Sequence, residues 1–283
     1  MTADAAGRAP SVVSEEARKL TAFLRRDFKL QWSYRVPFFF DWVNLLTQVA
    51  LFWLVGRLVD QTRLPSFGGA RPTYVQFVAI GIAISSFLQI GLTRVVSAIR
   101  NEQLMGTLES VLMTPTSPLT IQIGSVMYDL VYVPIRTGVF LVLVSVFLGA
   151  PFAVGGIAPV LVILLVFIPL VWGLGMVSAA GVLVFKKGSG FAGLAALALS
   201  ASASTYVPVE AFPEWIQPLV RWNPLTLTLD ATRSALLGTG SWEEVPRVLT
   251  VLIPVMVACL LLGVASFAAA LRRERRKGSL GMY

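Results

Sequence analysis

The chain has 283 residues, of which 56% are hydrophobic and only 13% are charged. Soluble domains carry about 25% charged residues, so a soluble fold of this length is excluded because its surface could not be covered. The formal net charge is +8, and the sequence has no histidine and a single cysteine, Cys259. These counts exclude a disulfide within the chain and a thiolate metal cluster, and they remove the commonest general base.

The N-terminal region is the most polar part of the sequence. Residues 1–13 are polar or small and are expected to be disordered. Ser14 is a candidate N-cap for a helix over 14–35. Its apolar residues recur at three- and four-residue spacing between basic ones, at Leu20, Phe23, Leu24 and Phe28. This pattern predicts an amphipathic interface helix lying on the membrane surface, with a helix packed on a soluble domain as the alternative.

Six apolar segments long enough to cross a membrane follow. A segment of about 20 residues at ~1.5 Å per residue crosses a hydrocarbon layer of ~30 Å. The predicted spans are 36–56, 74–96, 119–148, 157–185, 191–207 and 248–271. Pro134 predicts a kink in the third span. The fifth is rich in Ala, Ser and Gly, which favours close packing in the interior. The sequence thus predicts an all-α membrane protein whose transmembrane domain covers 36–271.

The segment between the fifth and sixth spans, residues 208–247, is too polar to cross a membrane but holds Trp215, Trp222 and Trp242. We expect short helices that lie in, or re-enter, the outer interface, because re-entrant backbone is tolerated when protein buries it. The basic run RRERRK at 272–277 begins a tail over 272–283. This tail is expected to mark the cytoplasmic side and to bind anionic lipid rather than nucleic acid.

The distribution of Lys and Arg predicts the orientation. With both termini in the cytoplasm, the inner side holds sixteen of these residues and the outer side six. The outer ones are Arg57, Arg63, Arg71, Arg221, Arg233 and Arg247. The excess on the inner side favours two cytoplasmic termini and a multi-pass protein of a plasma membrane.

Several enzyme signatures are absent from the sequence. It contains no G-x-x-x-x-G-K-[ST] loop for a nucleotide phosphate, no G-x-S-x-G and no H-E-x-x-H. We therefore expect no ATPase site, no metal and no bound cofactor in this chain. If the chain were part of a transporter that uses ATP, a partner subunit would have to hold the ATP and Mg²⁺.

The cytoplasmic loop at 100–118 is the most informative segment. Polar residues alternate with apolar ones at near-helical spacing, which predicts a short amphipathic helix over Arg100–Thr114. Periodicity alone leaves three partners open for its apolar face: the protein's own helices, the lipid surface or another subunit.

Two strings in the sequence resemble the signatures of ABC-2-type transporter permeases, a family that includes drug- and daunorubicin-resistance, nodulation-factor and polysaccharide-export permeases. The first is GTLESVLMTPTSP at Gly106–Pro118, and the second lies within Tyr206–Gly238. The second carries Pro208, Glu210, Pro213, Trp215, Asn223, Pro224 and Arg233. The two strings lie in the order expected, and the resemblance covers nearly the whole chain beyond its first 13 residues.

This resemblance implies a dimeric permease of an ABC exporter, either a homodimer or a heterodimer, driven by a separate ATPase subunit. A cytoplasmic coupling helix would contact that subunit beside the interface helix, and re-entrant helices would close the pathway on the outer side. The coupling residues would be Arg100, Glu102, Gly106, Thr107, Leu108, Glu109 and Pro115. The expected cargo is an amphiphilic small molecule, a drug or a lipid-linked compound, in a prokaryotic cell membrane. The alternatives are a polysaccharide or glycan exporter, a scaffold that transports nothing and an intramembrane enzyme.

Three ionisable residues fall inside predicted spans: Asp41, Asp129 and Arg136. Such residues are costly at membrane depth and usually face a bundle interior or a water-filled path. They could line the substrate route or relay protons. They could instead form an interhelical ion pair of Arg136 with Asp41 or Asp129, or the two aspartates could lie near the cytoplasmic interface.

Overall fold

The computed structural model describes residues 21–22, 24–29, 35–58, 64–106, 118–185, 189–238 and 242–277. Throughout this part the fold is helical without a strand, as expected. The helices are α1 (Arg35–Gly56), α2 (Tyr74–Leu104), α3 (Pro118–Leu148), α4 (Ile157–Phe185), α5 (Ser189–Ala201), α6 (Gln217–Trp222), α7 (Pro224–Leu237) and α8 (Glu244–Lys277). Two short 3₁₀ turns cover Val154–Gly156 and Val209–Ala211.

Five helices in the described ranges are long and apolar enough to cross a membrane, namely α1, α2, α3, α4 and α8. The predicted fifth span does not reach that length. Its helix, α5, has 13 residues, or about 20 Å at ~1.5 Å per residue. Residues 202–207 continue it as turns and bends instead of helix. Six full helical spans are therefore not confirmed.

Several helices extend further than the apolar runs that identified them. Helix α2 continues past residue 96 to Leu104, and α8 runs through the basic segment to Lys277. Pro134, Pro169 and Pro254 lie inside α3, α4 and α8. The predicted interface helix lies mostly outside the described residues, of which 21–22 and 24–29 are helical.

Helix α2 lies at the centre of the bundle, since 67% of its apolar stretch is buried, against 17% in α1 and in α8. At one end of the bundle, a core cluster joins Ile163 of α4 with Val248 of α8 and with α7. At the other end, a second cluster joins Leu183 of α4 with Ala270 of α8. Helices α4 and α8 therefore run side by side in the same direction.

Glycine residues set the spacing between the central helices. A Cβ atom on Gly173 of α4 would lie 2.6 Å from the carbonyl carbon of Cys259, and one on Gly263 of α8 would lie 2.5 Å from the Gly173 oxygen. On the other side of α4, a Cβ on Gly175 would lie 2.5 Å from the oxygen of Gly91 in α2. Backbone contact of this kind provides van der Waals packing where burial from water is not available to drive association.

Replacing Gly173 with alanine is expected to lower the melting temperature of the protein in detergent. Overpacking of this kind typically costs about 1–3 kcal/mol. Gly181→Ala is the matched control, because it lies in the same helix and its Cβ would meet no atom within 4 Å. Thermal unfolding followed by fluorescence-detected size exclusion would compare the two variants. Equal melting temperatures would show that backbone contact at Gly173 does not hold α4 against α8.

Candidate functional site

The junction between α5 and α7 is built around Asn223. Its side-chain oxygen accepts a hydrogen bond from the backbone N–H of Leu225 at 2.9 Å, which caps the start of α7. Its amide nitrogen donates to the carbonyl oxygens of Leu199, at 2.9 Å, and Ser202, at 3.1 Å. The Asn223 side chain thus forms hydrogen bonds with backbone groups both at the end of α5 and at the start of α7. Pro224 follows at the first helical position, where a missing N–H has no cost.

Arg233 of α7 is fully buried against the segment that follows α5. Its guanidinium donates to the carbonyl oxygens of Phe77 at 3.1 Å, Ser204 at 2.7 Å and Thr205 at 3.2 Å. It also donates to the Ser204 hydroxyl and lies over the ring of Phe77, 3.5 Å from its centroid. Backbone that leaves a helix inside a membrane needs such partners. The arginine therefore supplies donors to two carbonyls of the non-helical segment that follows Ala201.

This segment is also tied to the central helix. Gly81 of α2 touches the carbonyl of Thr205 so closely that a Cβ atom would overlap it. The hydroxyls of Ser85 and Thr205 are 3.1 Å apart, and the Tyr74 hydroxyl donates to the carbonyl of Tyr206 at 3.3 Å. Residues 202–206 thus run, without a helix, along the N-terminal half of α2 to its first residue.

Asp230 accompanies the buried arginine. Its carboxylate lies 3.4 Å from the Arg233 guanidinium and accepts a hydrogen bond from Ser204 at 3.3 Å. Burial raises the pKa of Asp230, although Arg233 and Ser204 oppose the shift. Burial lowers the pKa of Arg233 to about 10, with Asp230 acting against it. Arg233 therefore carries its charge at neutral pH.

The remaining residues of the second signature lie apart from this network. Pro208 precedes the 3₁₀ turn that contains Glu210, and Pro213 follows that turn. Trp215 is 81% exposed, as expected of a side chain at a membrane interface. The structure thus brings Asn223, Pro224 and Arg233 to one junction, whereas Glu210, Pro213 and Trp215 are exposed.

A polar cavity of about 820 Å³ lies at membrane depth between α1, α2, α3 and α5. Asp41 of α1 pairs with Arg136 of α3 at 2.8 Å. Asp129 of α3 pairs with Arg94 of α2 at 3.3 Å. Other polar residues of the lining are Asn44, Gln48, Ser85, Ser86, Gln89, Tyr128, Tyr132 and Ser200. The three intramembrane charges identified in the sequence therefore all line this cavity, and each has a partner of opposite charge.

Sequence reasoning missed Arg94 as a lining residue, because it assigned this arginine to the cytoplasmic flank of a span ending at residue 96. In the structure α2 continues for eight more residues, to Leu104, which places Arg94 within the helix and opposite Asp129. The amphipathic spacing that begins at Arg100 could have indicated that α2 continues beyond residue 96.

The predicted coupling residues are only partly described. Arg100 and Glu102 lie in the last turns of α2, and Gly106 follows in a left-handed turn with φ of +67°. Thr107, Leu108, Glu109 and Pro115 lie outside the described residues, as does most of the proposed coupling helix. Their roles stay predictions.

We expect Arg233→Gln to destabilise the protein strongly. Each buried oxygen left without a donor costs about 1–3 kcal/mol, and Asp230 would lose its counter-charge. Arg221→Gln is the control, since Arg221 lies on the neighbouring helix α6 and is exposed. The yield of monodisperse protein and its melting temperature in detergent would be measured. A melting temperature for Arg233→Gln as high as that of the control would contradict the role given to the guanidinium.

Exchanging the charges of Asp41 and Arg136 tests their pairing. Asp41→Arg alone puts two cations together and should lower stability, whereas the double variant Asp41→Arg, Arg136→Asp should recover part of the loss. Coupling energies between residues in contact are about 0.5–3 kcal/mol. Melting temperatures of the wild type, both single variants and the double variant would give the coupling. Additive losses would show that the pair does not hold α1 to α3.

The sequence matches the profile of the ABC-2 type transporter family over residues 18–237. Comparison with curated proteins gives no match. The family match covers more than half of the chain and includes both the polar cavity and the Arg233 junction. Together with the five long apolar helices, it makes the chain a multi-pass membrane permease subunit of an ABC transporter, in a family that generally works with a separate ATPase subunit. The chain belongs to the ABC-2 type transporter family.

Proposed function

We propose that this permease forms the translocation pathway of an ATP-driven exporter as a dimer, and that it exports an amphiphilic small molecule, a drug or a lipid-linked compound. The observation that carries the proposal is the polar cavity of about 820 Å³, which is bordered by long apolar helices. Polar and charged side chains at membrane depth are costly and mark substrate or ion routes.

The pairing of the charges supports a role in substrate passage over a role in proton transfer. Asp41 and Asp129 each face an arginine, and an arginine does not lose its proton in the physiological range. An arginine that keeps its proton cannot pass one on from the carboxylate that it faces, so these pairs do not form a chain of proton carriers. ATP hydrolysis on the partner subunit would provide the driving force.

Helix α2 supports a mechanical route from the ATPase to the cavity. The same helix carries Ser86, Gln89 and Arg94 on the cavity wall and Arg100 near its cytoplasmic end. Arg94 and Arg100 are about 9 Å apart along the axis, at ~1.5 Å per residue. A force applied to the loop after Gly106 would therefore shift the cavity wall against α1 and α3. In this proposal the coupling residues of that loop contact the ATPase subunit.

The junction at Arg233 would form the outer closure of the pathway. It fastens α7 and residues 202–206 to the outer half of α2. The polar cavity lies next to this junction, since Ser200 and Tyr206 belong to its lining. We propose that the junction keeps the cavity closed to the outside until the ATPase subunits close and move α2.

Gly106→Ala tests the coupling step. Alanine in a left-handed conformation costs about 1–2 kcal/mol, and 1.4 kcal/mol corresponds to a tenfold change in population. We expect ATP-driven transport by the chain, reconstituted with the ATPase subunit that co-purifies with it, to fall roughly tenfold while membrane insertion is unchanged. Transport of a fluorescent, NBD-labelled alkyl glucoside, a neutral amphiphile, and ATP hydrolysis would be measured together, because uncoupling leaves hydrolysis without transport.

Two further variants separate the backbone effect from the loss of a glycine. Gly106→Asn should restore transport, since asparagine adopts the left-handed region readily. Gly138→Ala in α3 is the matched control, because a Cβ there also meets no atom within 4 Å, while its backbone is helical. Normal transport by Gly106→Ala, or failure to recover any ATPase subunit with the chain, would contradict the proposal.

A further inference from the structure

A second cavity lies beside the polar one. It has a volume of about 280 Å³ and opens between α2, α3, α4 and α8. Apart from one ion pair its lining is apolar, including Phe87, Ile90, Val133, Val171, Trp172 and Leu260. A polar chamber and an apolar chamber therefore lie next to each other within one protomer.

The ion pair Arg94–Asp129 belongs to the walls of both cavities, and Ile90 is the third shared residue. The pair is 3.3 Å from Nε to Oδ2, and the Arg94 side chain is 47% exposed while that of Asp129 is 10% exposed. The other carboxylate oxygen of Asp129, Oδ1, is buried without a hydrogen-bond partner among the described residues. A buried acceptor without a donor is costly, and here it lies where the two cavities meet.

The charges of the polar cavity cancel. Asp41 and Asp129 face Arg94 and Arg136, so a ligand group with a net charge finds no excess of the opposite charge to offset its desolvation. The rest of the polar lining consists of hydroxyl and amide groups, which both donate and accept hydrogen bonds. These groups can form hydrogen bonds with the neutral head group of a ligand that carries several hydroxyls. One hydroxyl of such a head group can donate to Asp129 Oδ1.

We propose that the two cavities bind a single amphiphile. Its neutral, hydroxyl-bearing head lies in the polar cavity, and its apolar part passes the Arg94–Asp129 pair into the apolar cavity beside Trp172. That this molecule is also exported rests on the proposed function. The binding site itself rests on the lining of the two cavities and on the residues that they share.

Fluorescence quenching of Trp172 tests the position of the apolar part. Dibromo-octyl glucoside, a neutral hydroxyl-rich amphiphile with bromine atoms at the end of its chain, would be added to the purified chain in lipid nanodiscs. We expect saturable quenching in the wild type and loss of the saturable component in Trp172→Phe. The same saturable component in Trp172→Phe would overturn the proposal, because the quenching would then come from other tryptophans.

Ser86→Leu tests the position of the head. It places an apolar side chain in the polar cavity, and we expect it to weaken glucoside binding about tenfold, as for lost hydrogen bonds. Binding of 1,2-dibromo-octane, which has no head, should be unchanged. Gln89→Leu, an exposed position of the same lining, is the second variant if the first does not fold.

Thr93→Val is the matched control for Ser86→Leu. Both hydroxyls lie on α2 and donate to a backbone carbonyl of the preceding turn, but Thr93 is not part of the lining of either cavity. We expect Thr93→Val to bind the glucoside as the wild type does. If the lining variants and the control bind the glucoside equally well, the head does not lie in the polar cavity and the proposal fails.

Transport separates this proposal from the proposed function. With the ATPase subunit in proteoliposomes, ATP-driven movement of the glucoside that is lowered by Ser86→Leu supports both proposals. Saturable binding without ATP-driven movement of any amphiphile leaves the site intact and contradicts the exporter. ATP-driven movement that is equal in the wild type and in Ser86→Leu leaves the exporter intact and contradicts the site.

Discussion

Backbone carbonyl groups within a membrane cannot accept hydrogen bonds from water, so the protein itself must provide the donors. In this protein Arg233 provides them, and the packing of α2, α5 and α7 depends on it. The guanidinium reaches three carbonyl oxygens, from Phe77, Ser204 and Thr205. Because these bonds are made, the chain can leave the helical conformation after Ala201 and continue along α2. A helix that continued to residue 207 would not present these carbonyls sideways to α7.

Several other features depend on this arrangement. Helix α7 is held against the bundle by the same arginine, and Gly81 is needed because the segment passes so close to α2. The Asn223 side chain donates hydrogen bonds to the carbonyls of Leu199 and Ser202 at the end of α5. Ser200, in the same turn, borders the polar cavity. The Arg233 junction and the polar cavity beside it are therefore two results of the same interruption of α5 at Ala201.

Much of the helical framework could be predicted from the sequence, because a long apolar run indicates a membrane-crossing helix. The end of α5 could not, since residues 202–207 read Ser-Ala-Ser-Thr-Tyr-Val and contain no Gly or Pro to mark a turn. Nor could the partner of Asp129 be predicted. Arg94 lies 35 positions before it in the sequence, and the apolar run that marked α2 stopped two residues after Arg94. Such pairings arise from the packing of separate helices, which cannot be predicted from the local sequence pattern.

The second signature was recognised as a string, whereas the structure gives its members different tasks. Asn223 and Arg233 make eight hydrogen bonds to backbone and side chains around the junction, apart from the contact of Arg233 with Asp230. Trp215 instead faces outward. A sequence pattern records that these residues occur together, but only the fold distinguishes a residue that joins two helices from one that meets the membrane interface.

The glycine contacts that join α2, α4 and α8 have a consequence for how the protein can diversify. At these contacts almost any side chain would collide with backbone, so natural variation there is expected to be confined to the smallest residues. The apolar stretches of α1 and α3 are 17% and 28% buried, against 67% in α2, and these two helices supply eight of the eighteen residues that line the polar cavity. If the cavity binds the cargo, as proposed, new cargo preferences can evolve through substitutions on α1 and α3 without disturbing the glycine contacts that join α2, α4 and α8.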